Sequence, residues 1–172
     1  MRRTTWVSAA LFVAWAVHDA EERVTMSANS RALVHAAPSW VPLPQDIRQH
    51  GLTQQHVDAA LGLMAVVVGA AAVDGVRTRG RSEFFQSALF GFGCHGATHI
   101  AGSIAARRYT SGVVTAPIIV LPYWWWARRE LARAGVPSRP ADPRLALGVG
   151  PILIGVHLVA RMLTRSSRRG AP

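Results

Sequence analysis

FFQSALFGFGCHGATHIAGSIAA, residues 84–106, runs for 23 positions without an Asp, Glu, Lys or Arg. A helix needs roughly 17–25 mostly apolar residues to cross a bilayer, so this stretch predicts a span by itself. Its small residues, among them Ser87, Gly91, Gly93, Ala97 and Ala101, allow close helix packing and mark it as the central helix of a bundle. Outward from it, residues 109–127 form a second uncharged run of sufficient length. The runs 4–17, 59–73 and 145–160 are shorter and must take in polar residues at their ends to span. The expected fold is all-α: a single domain over residues 1–172, built as a polytopic transmembrane helix bundle of about five spans. The spans fall near 4–22, 54–76, 83–106, 109–129 and 143–163. Residues 23–52 are polar, carry Pro38, Pro42 and Pro44, and are expected as a long loop, with or without a short surface helix, in which Trp40 anchors to headgroups.

Local chemistry agrees with these boundaries. Thr53 can cap the second helix, Ser82 with Glu83 can start the third, and Asp142-Pro143 has the cap and first-turn chemistry for the fifth. Pro117 and Pro122 are expected to kink the fourth helix, because each removes a backbone donor. Trp124, Trp125 and Trp126, followed by Arg128 and Arg129, read as an interfacial aromatic belt. Met1-Arg2-Arg3 precedes an apolar stretch, as in a signal peptide, but no small-residue cleavage site follows, so the segment is expected to remain as the first span.

Charge narrows the partners. All 19 basic residues are arginine and the formal net charge is +10, yet the arginines gather at the ends of apolar runs. There they meet anionic headgroups, so the lipid bilayer is the expected partner and nucleic acid is not. The location implied is the cell membrane, as a multi-pass integral protein. Alternating spans would place ten arginines on one side and nine on the other, which leaves orientation open. The single Cys94 excludes an intrachain disulfide and is read as a packing residue.

Against this apolar background the ionisable residues inside the spans are the candidates for function. His18, Glu21 and Glu22 are spaced i, i+3, i+4, and His95 and His99 repeat the i, i+4 spacing. Depth ties them together. His18 lies about 14 residues into the first helix, His95 and His99 about 12 and 16 into the third, and His157 about 13 into the fifth, all counted from one membrane side. At ~1.5 Å per residue they agree in height within roughly 6 Å. Asp58, near the start of the oppositely directed second helix, falls at the same level. The candidate metal ligands are therefore His18, Glu21, Glu22, His95, His99, His157 and Asp58. An ion-pair network of Asp19 and Arg23 is the alternative fate for the acids. Imidazole with carboxylate suits a divalent metal, and iron, manganese and zinc are not distinguished, nor is one metal from two. Thr115 is a candidate second-shell donor. His35 and His50 fall in the loop, and His56, two residues from Asp58, points elsewhere on its helix.

The motif His18-Asp19-Ala20-Glu21-Glu22, followed in order by GCHGATHIAGS (93–103) and RRYTSGVVTAP (107–117), resembles the HXXEE family of small bacterial integral membrane proteins. The chain departs from that pattern at Ser111, where a Pro is expected before the Gly. The resemblance implies a multi-helix membrane protein with a metal site at His18, Glu21 and Glu22, joined by His95 and His99, and carries no assigned reaction.

The leading functional expectation is a membrane metalloenzyme, an oxidoreductase or hydrolase, acting on a lipophilic small molecule that arrives from the bilayer. The alternatives are a metal transport or binding protein, which could oligomerise to form a pathway, and a structural membrane subunit whose histidines hydrogen-bond between helices. An intramembrane protease of the EExxxR type would need Arg at position 26, where Met26 stands, and no Gly-x-Ser-x-Gly occurs for a serine hydrolase.

Overall fold

Residues 3–36 include neither Gly nor Pro, and they form one uninterrupted helix, α1 (Arg3–Ala36). The computed structural model describes residues 3–41, 43–137, 152 and 154–164, and within these the chain is helical without strands. After α1 come α2 (Gln45–His50), α3 (Gln54–Thr78), α4 (Glu83–Ala106), a π-helical turn (Ala116–Val120) that runs into α5 (Leu121–Arg133), and α6 (Ile154–Thr164). The start expected for the last span at Asp142-Pro143 lies outside the described residues, as do Arg139, Arg144, Arg165, Arg168 and Arg169.

The long loop expected from residue 23 begins instead only after Ala36. Nothing in 23–36 breaks a helix, and its polar side chains find partners within it. Thr25 Oγ1 donates to the Glu21 carbonyl at 2.7 Å and Asn29 Nδ2 to the Thr25 carbonyl at 3.1 Å. Pro38 then stops the helix, since the residue before a proline avoids helical geometry. Thr53 and Ser82 cap as their sequence positions predict: the Thr53 side chain accepts from the His56 amide and the Ser82 side chain from the Phe85 amide. Around Pro117 and Pro122 the chain winds as a wide π turn before resuming α-helix. Two missing backbone donors in six residues favour such a rearrangement.

The centre of the packing is α1, rather than the 84–106 helix that its small residues suggested: α1 touches α2, α3, α4, α5 and the π turn. Its buried positions, Thr4, Val7, Ser8, Leu11, Ala14, Trp15, His18, Asp19 and Glu22, recur every three or four residues, a single stripe along one face. Against the apolar end of that stripe pack Val68, Ala71 and Ala72 of α3, Phe85, Leu89 and Phe92 of α4, and Val120, Tyr123, Ala127 and Leu131. Phe85 is fully buried, and Gly75 of α3 admits its ring: a Cβ at position 75 would stand 2.4 Å from Phe85 Cδ2. The Tyr123 hydroxyl donates to the Val7 carbonyl at 2.8 Å, tying α5 to the backbone of α1. The same buried stripe continues, without a break in spacing, into His18 and Glu22.

By length and composition, α3 is the one described helix able to cross a membrane. The run in α4 lacks charge, but its histidines and its Gly, Ser and Thr lower its mean hydropathy, and absence of charge is not the same as an apolar surface. Outward faces of several helices are nonetheless apolar: Trp6, Val13, Val24, Val66, Val73, Ile104, Ile118 and Met162 are all more than half exposed. Of the three adjacent tryptophans, Trp125 and Trp126 are exposed, while the Trp124 ring lies over Gly93. Arg128 and Arg129 stack on Trp124 and Trp125, at 5.2 Å and 4.5 Å from the ring centroids.

Candidate metal centre

Two i, i+4 pairs on neighbouring helices build the site. On α1, His18 and Glu22 lie one turn apart on the buried face, with exposures of 0% and 3%. On α4, His95 and His99 stand one turn apart on the side that meets α1. Each of the four residues offers one ligand atom, and these atoms all lie within 4.8 Å of one another. His99 Nε2 is 3.2 Å from Glu22 Oε1, and His95 Nε2 is 3.7 Å from Glu22 Oε2. The Nε2 atoms of His95 and His99 face each other at 2.9 Å. The His18 ring meets both edge-on, its centroid 5.2 Å and 5.0 Å from theirs. Among the described residues no other such group of metal-ligating side chains occurs.

A hydrogen-bond chain fixes what His18 presents to this cluster. Thr115 Oγ1 lies 2.6 Å from Glu21 Oε2 and 2.7 Å from His18 Nδ1. An ionised carboxylate only accepts, so the threonine hydrogen goes to Glu21. The threonine oxygen must then accept from His18, whose proton is thereby placed on Nδ1. His18 Nε2 is left as a bare lone pair, and that atom is buried without a hydrogen-bond partner. Fixing the far nitrogen by a hydrogen bond is how a histidine is held for a metal. The close approach of the segment that carries Thr115 needs Gly112, whose φ is +81° and whose added Cβ would stand 2.8 Å from His99 Nδ1 and 2.9 Å from His18 Cε1.

The remaining candidates from the sequence are placed elsewhere. Glu21 and Glu22 differ by 100° around the helix, so α1 sends them to different neighbours. Glu21 faces the 109–115 segment, where it accepts from the Tyr109 hydroxyl, the Val114 and Thr115 amides and the Thr115 hydroxyl, at 2.6–3.3 Å. Its oxygens are occupied by these donors, and it reaches the cluster only through Thr115. Asp58 is on the exposed side of α3, paired with Arg23 at 2.9 Å and with Gln54 at 3.0 Å. His157 of α6 meets His56, with 2.9 Å between His157 Nδ1 and His56 Nε2 and the rings stacked. His56, rather than Asp58, is thus the inward-facing polar residue at the start of α3. Its neighbours on the buried stripe, Val57 and Ala60, are the sequence signal that marks that face. Tyr109 has no comparable signal, since it belongs to a turn and not to a periodic element. Cys94 is exposed and takes no part.

Acceptors dominate the cluster. Glu22 Oε1 and His18 Nε2 are buried with no hydrogen-bond donor aimed at them, an arrangement that calls for a cation or for protons between them. Three imidazoles and a carboxylate form a ligand set that suits divalent iron, manganese or zinc. Glu22 and His99 also line a cavity of about 720 Å³ that extends between α1, α2 and α6.

Fold and site together define a class: an all-helical protein in which α1 and α4 present a His/Glu group able to hold a metal ion. The chain belongs to the family described as protein of unknown function with HXXEE motif, whose model matches residues 9–127. The motif's His, first Glu and second Glu are His18, Glu21 and Glu22, and the match extends over His95, His99 and Thr115. No curated protein and no solved structure matches the chain.

Proposed function

We propose that the protein is a membrane-embedded metalloenzyme in which His18, Glu22, His95 and His99 hold one divalent metal ion facing a compartment for a lipophilic substrate. The observation that carries this reading is the lone pair of His18 Nε2, held in place by the Thr115–Glu21 chain and directed at a carboxylate and two further imidazoles. A hydrogen-bonding role alone would pair that nitrogen with a donor, and it has none.

The opening of the site favours catalysis over a closed structural metal. Structural sites are sealed by their ligands, whereas catalytic sites keep a position free, and here Glu22 and His99 border the cavity. When bound, iron would supply oxygen chemistry and zinc an activated water. The chain's own residues hold and orient: Glu21 and Thr115 set the His18 tautomer, and the backbone at Gly112 packs closely against His99. Together they make the site a fixed one that a metal does not have to assemble.

Membrane insertion through several helices agrees with the large apolar residues that face outward on several helices. It also agrees with α3, since 28% of its most apolar stretch is buried, less than a soluble core helix would show.

Metal per chain, measured by elemental analysis on protein purified in detergent, tests the reading. About one metal ion per chain is expected in the wild type, falling at least tenfold in His18→Ala, Glu22→Ala and His99→Ala, and unchanged in Asp58→Asn. Metal-free wild type from supplemented medium, or equal metal in all four variants, contradicts it.

A further inference from the structure

The cavity beside the cluster is elongated. Glu22, Met26, Asn29, Ser30, Leu33 and Val34 line it, spaced as one face of α1 over three turns. From Glu22 to Leu33 that face is about 17 Å long at 1.5 Å per residue. The facing walls are Leu43 and Ile47 from α2 and its approach, Leu52 beyond it, and Ile154 and Leu158 of α6. The polar side chains along the trough are already used internally: Asn29 bonds to the Thr25 carbonyl, and Ser30 to the Ser27 carbonyl and the Leu52 amide. His56 and His157 also line it and pair with each other at 2.9 Å, so the trough offers a ligand mainly apolar surface.

One end differs. Ser111 and Glu22 are both less than a tenth exposed and both line the cavity; Ser111 Oγ has no hydrogen-bond partner, and Glu22 Oε1 has only the His99 ring nitrogen nearby, at 3.2 Å and out of hydrogen-bond alignment. One is an acceptor and the other both donates and accepts, which matches a hydroxyl better than a carboxylate. An anionic end at this position would face Glu22; the cavity's arginine, Arg161, pairs with Asp46 of α2, while its buried Nε has no hydrogen-bond partner. At about 720 Å³ the volume lies within the ~300–1,000 Å³ usual for small-molecule sites.

We propose that this cavity binds a single-chain amphiphile with an uncharged, hydroxyl-bearing end, a long-chain alcohol in the simplest case, with the hydroxyl between Glu22, His99 and Ser111 and the chain lying along α1. The substrate class rests on the metal-site reading only for the fate of the hydroxyl, and the cavity's occupancy does not depend on it. Gly102 forms part of the rim: it is exposed, lines the cavity, and has no atom within 4 Å of where a Cβ would stand. A large side chain there fits without a clash on α4 and obstructs the mouth.

The experiment uses the full chain in detergent, with its metal content measured on the same samples, and a hexadecanol carrying a diazirine for photo-crosslinking. Saturable labelling is expected on peptides containing Met26, Ile47 or Leu52. It should fall at least tenfold in Gly102→Phe and in Met26→Trp while metal per chain stays constant. A diazirine-bearing palmitic acid, ionised at neutral pH, should label at least tenfold less. Labelling that does not saturate, that concentrates on outward residues such as Val66 and Ile118, or that survives both substitutions overturns the assignment of the cavity. Equal labelling by the acid overturns the uncharged end. Saturable labelling of a metal-free wild-type chain would uphold the cavity and remove the metal centre, so the two claims fail separately.

Discussion

Thr115 has one hydroxyl hydrogen, and Glu21 takes it. That single assignment settles the tautomer of His18, and it gives the threonine a role that differs from the common one of bonding to its own helix. Thr115→Val keeps the shape and removes the hydroxyl, leaving His18 Nδ1 without its acceptor. Metal affinity, titrated against a competing chelator, should fall about 10–100-fold, as is usual when an outer-shell partner of a ligating histidine is removed. Thr115→Ser should retain most of it, and an unchanged affinity in the valine variant would count against the relay. At this scale much of the site was legible. Two i, i+4 pairs at equal depth pointed to His18, Glu22, His95 and His99, because helical periodicity and rise are fixed by backbone geometry. What periodicity could not divide was Glu21 from Glu22, since both lie on the His18 side of the helix and only the neighbours decide which faces the cluster. Asp58 and His56 posed the same question on α3. There the answer came from Arg23, which α1 brings beside Asp58 only because that helix continues past Glu22.

At the scale of elements, Phe85 is the joint of the bundle. Its ring is fully buried between α3 and α4, beneath Gly75, with Ser8 of α1 beside the same glycine. Phe85→Ala should destabilise the fold by about 3–5 kcal/mol, the range for deleting a buried aromatic ring. The expected readout is a lowered thermal unfolding midpoint, with metal per folded chain preserved because Phe85 touches none of the ligands. An unchanged midpoint would show that the helices are not held together there. Helices α3 and α4 were predicted almost to the residue, since Thr53 and Ser82 mark their starts. The extent of α1 was not, because polar residues at 23–36 were taken to mean loop; freedom from Gly and Pro was the better guide to continuity. The π turn at Ala116–Val120 lies where two prolines signal irregular winding, although its type depends on how α1 and α4 pack against it.

For the whole molecule, the distribution of apolar surface bears on where the protein resides. Tryptophan, valine and isoleucine side chains project outward from α1, α3, α4 and α5. The protein should therefore sediment with membranes and remain there after washing at alkaline pH in carbonate, whereas release into the supernatant would contradict insertion. The all-helical fold was evident from composition and apolar runs, but five runs were read as spans where one described helix is long and apolar enough to cross a membrane. Lack of charge marks a run as compatible with a bilayer, while the histidines and small polar residues of a candidate site lower its hydropathy, so a site and a span would draw on the same positions of α4.

X-ray absorption at the metal edge distinguishes a metal held by His18, Glu22, His95 and His99 from one bound elsewhere. Nitrogen and oxygen ligands alone are expected at about 2.0–2.2 Å, with the multiple scattering of imidazole rings, reduced on His95→Ala. A shell containing sulfur near ~2.3 Å, as a thiolate ligand would give, or one without imidazole scattering, would contradict it.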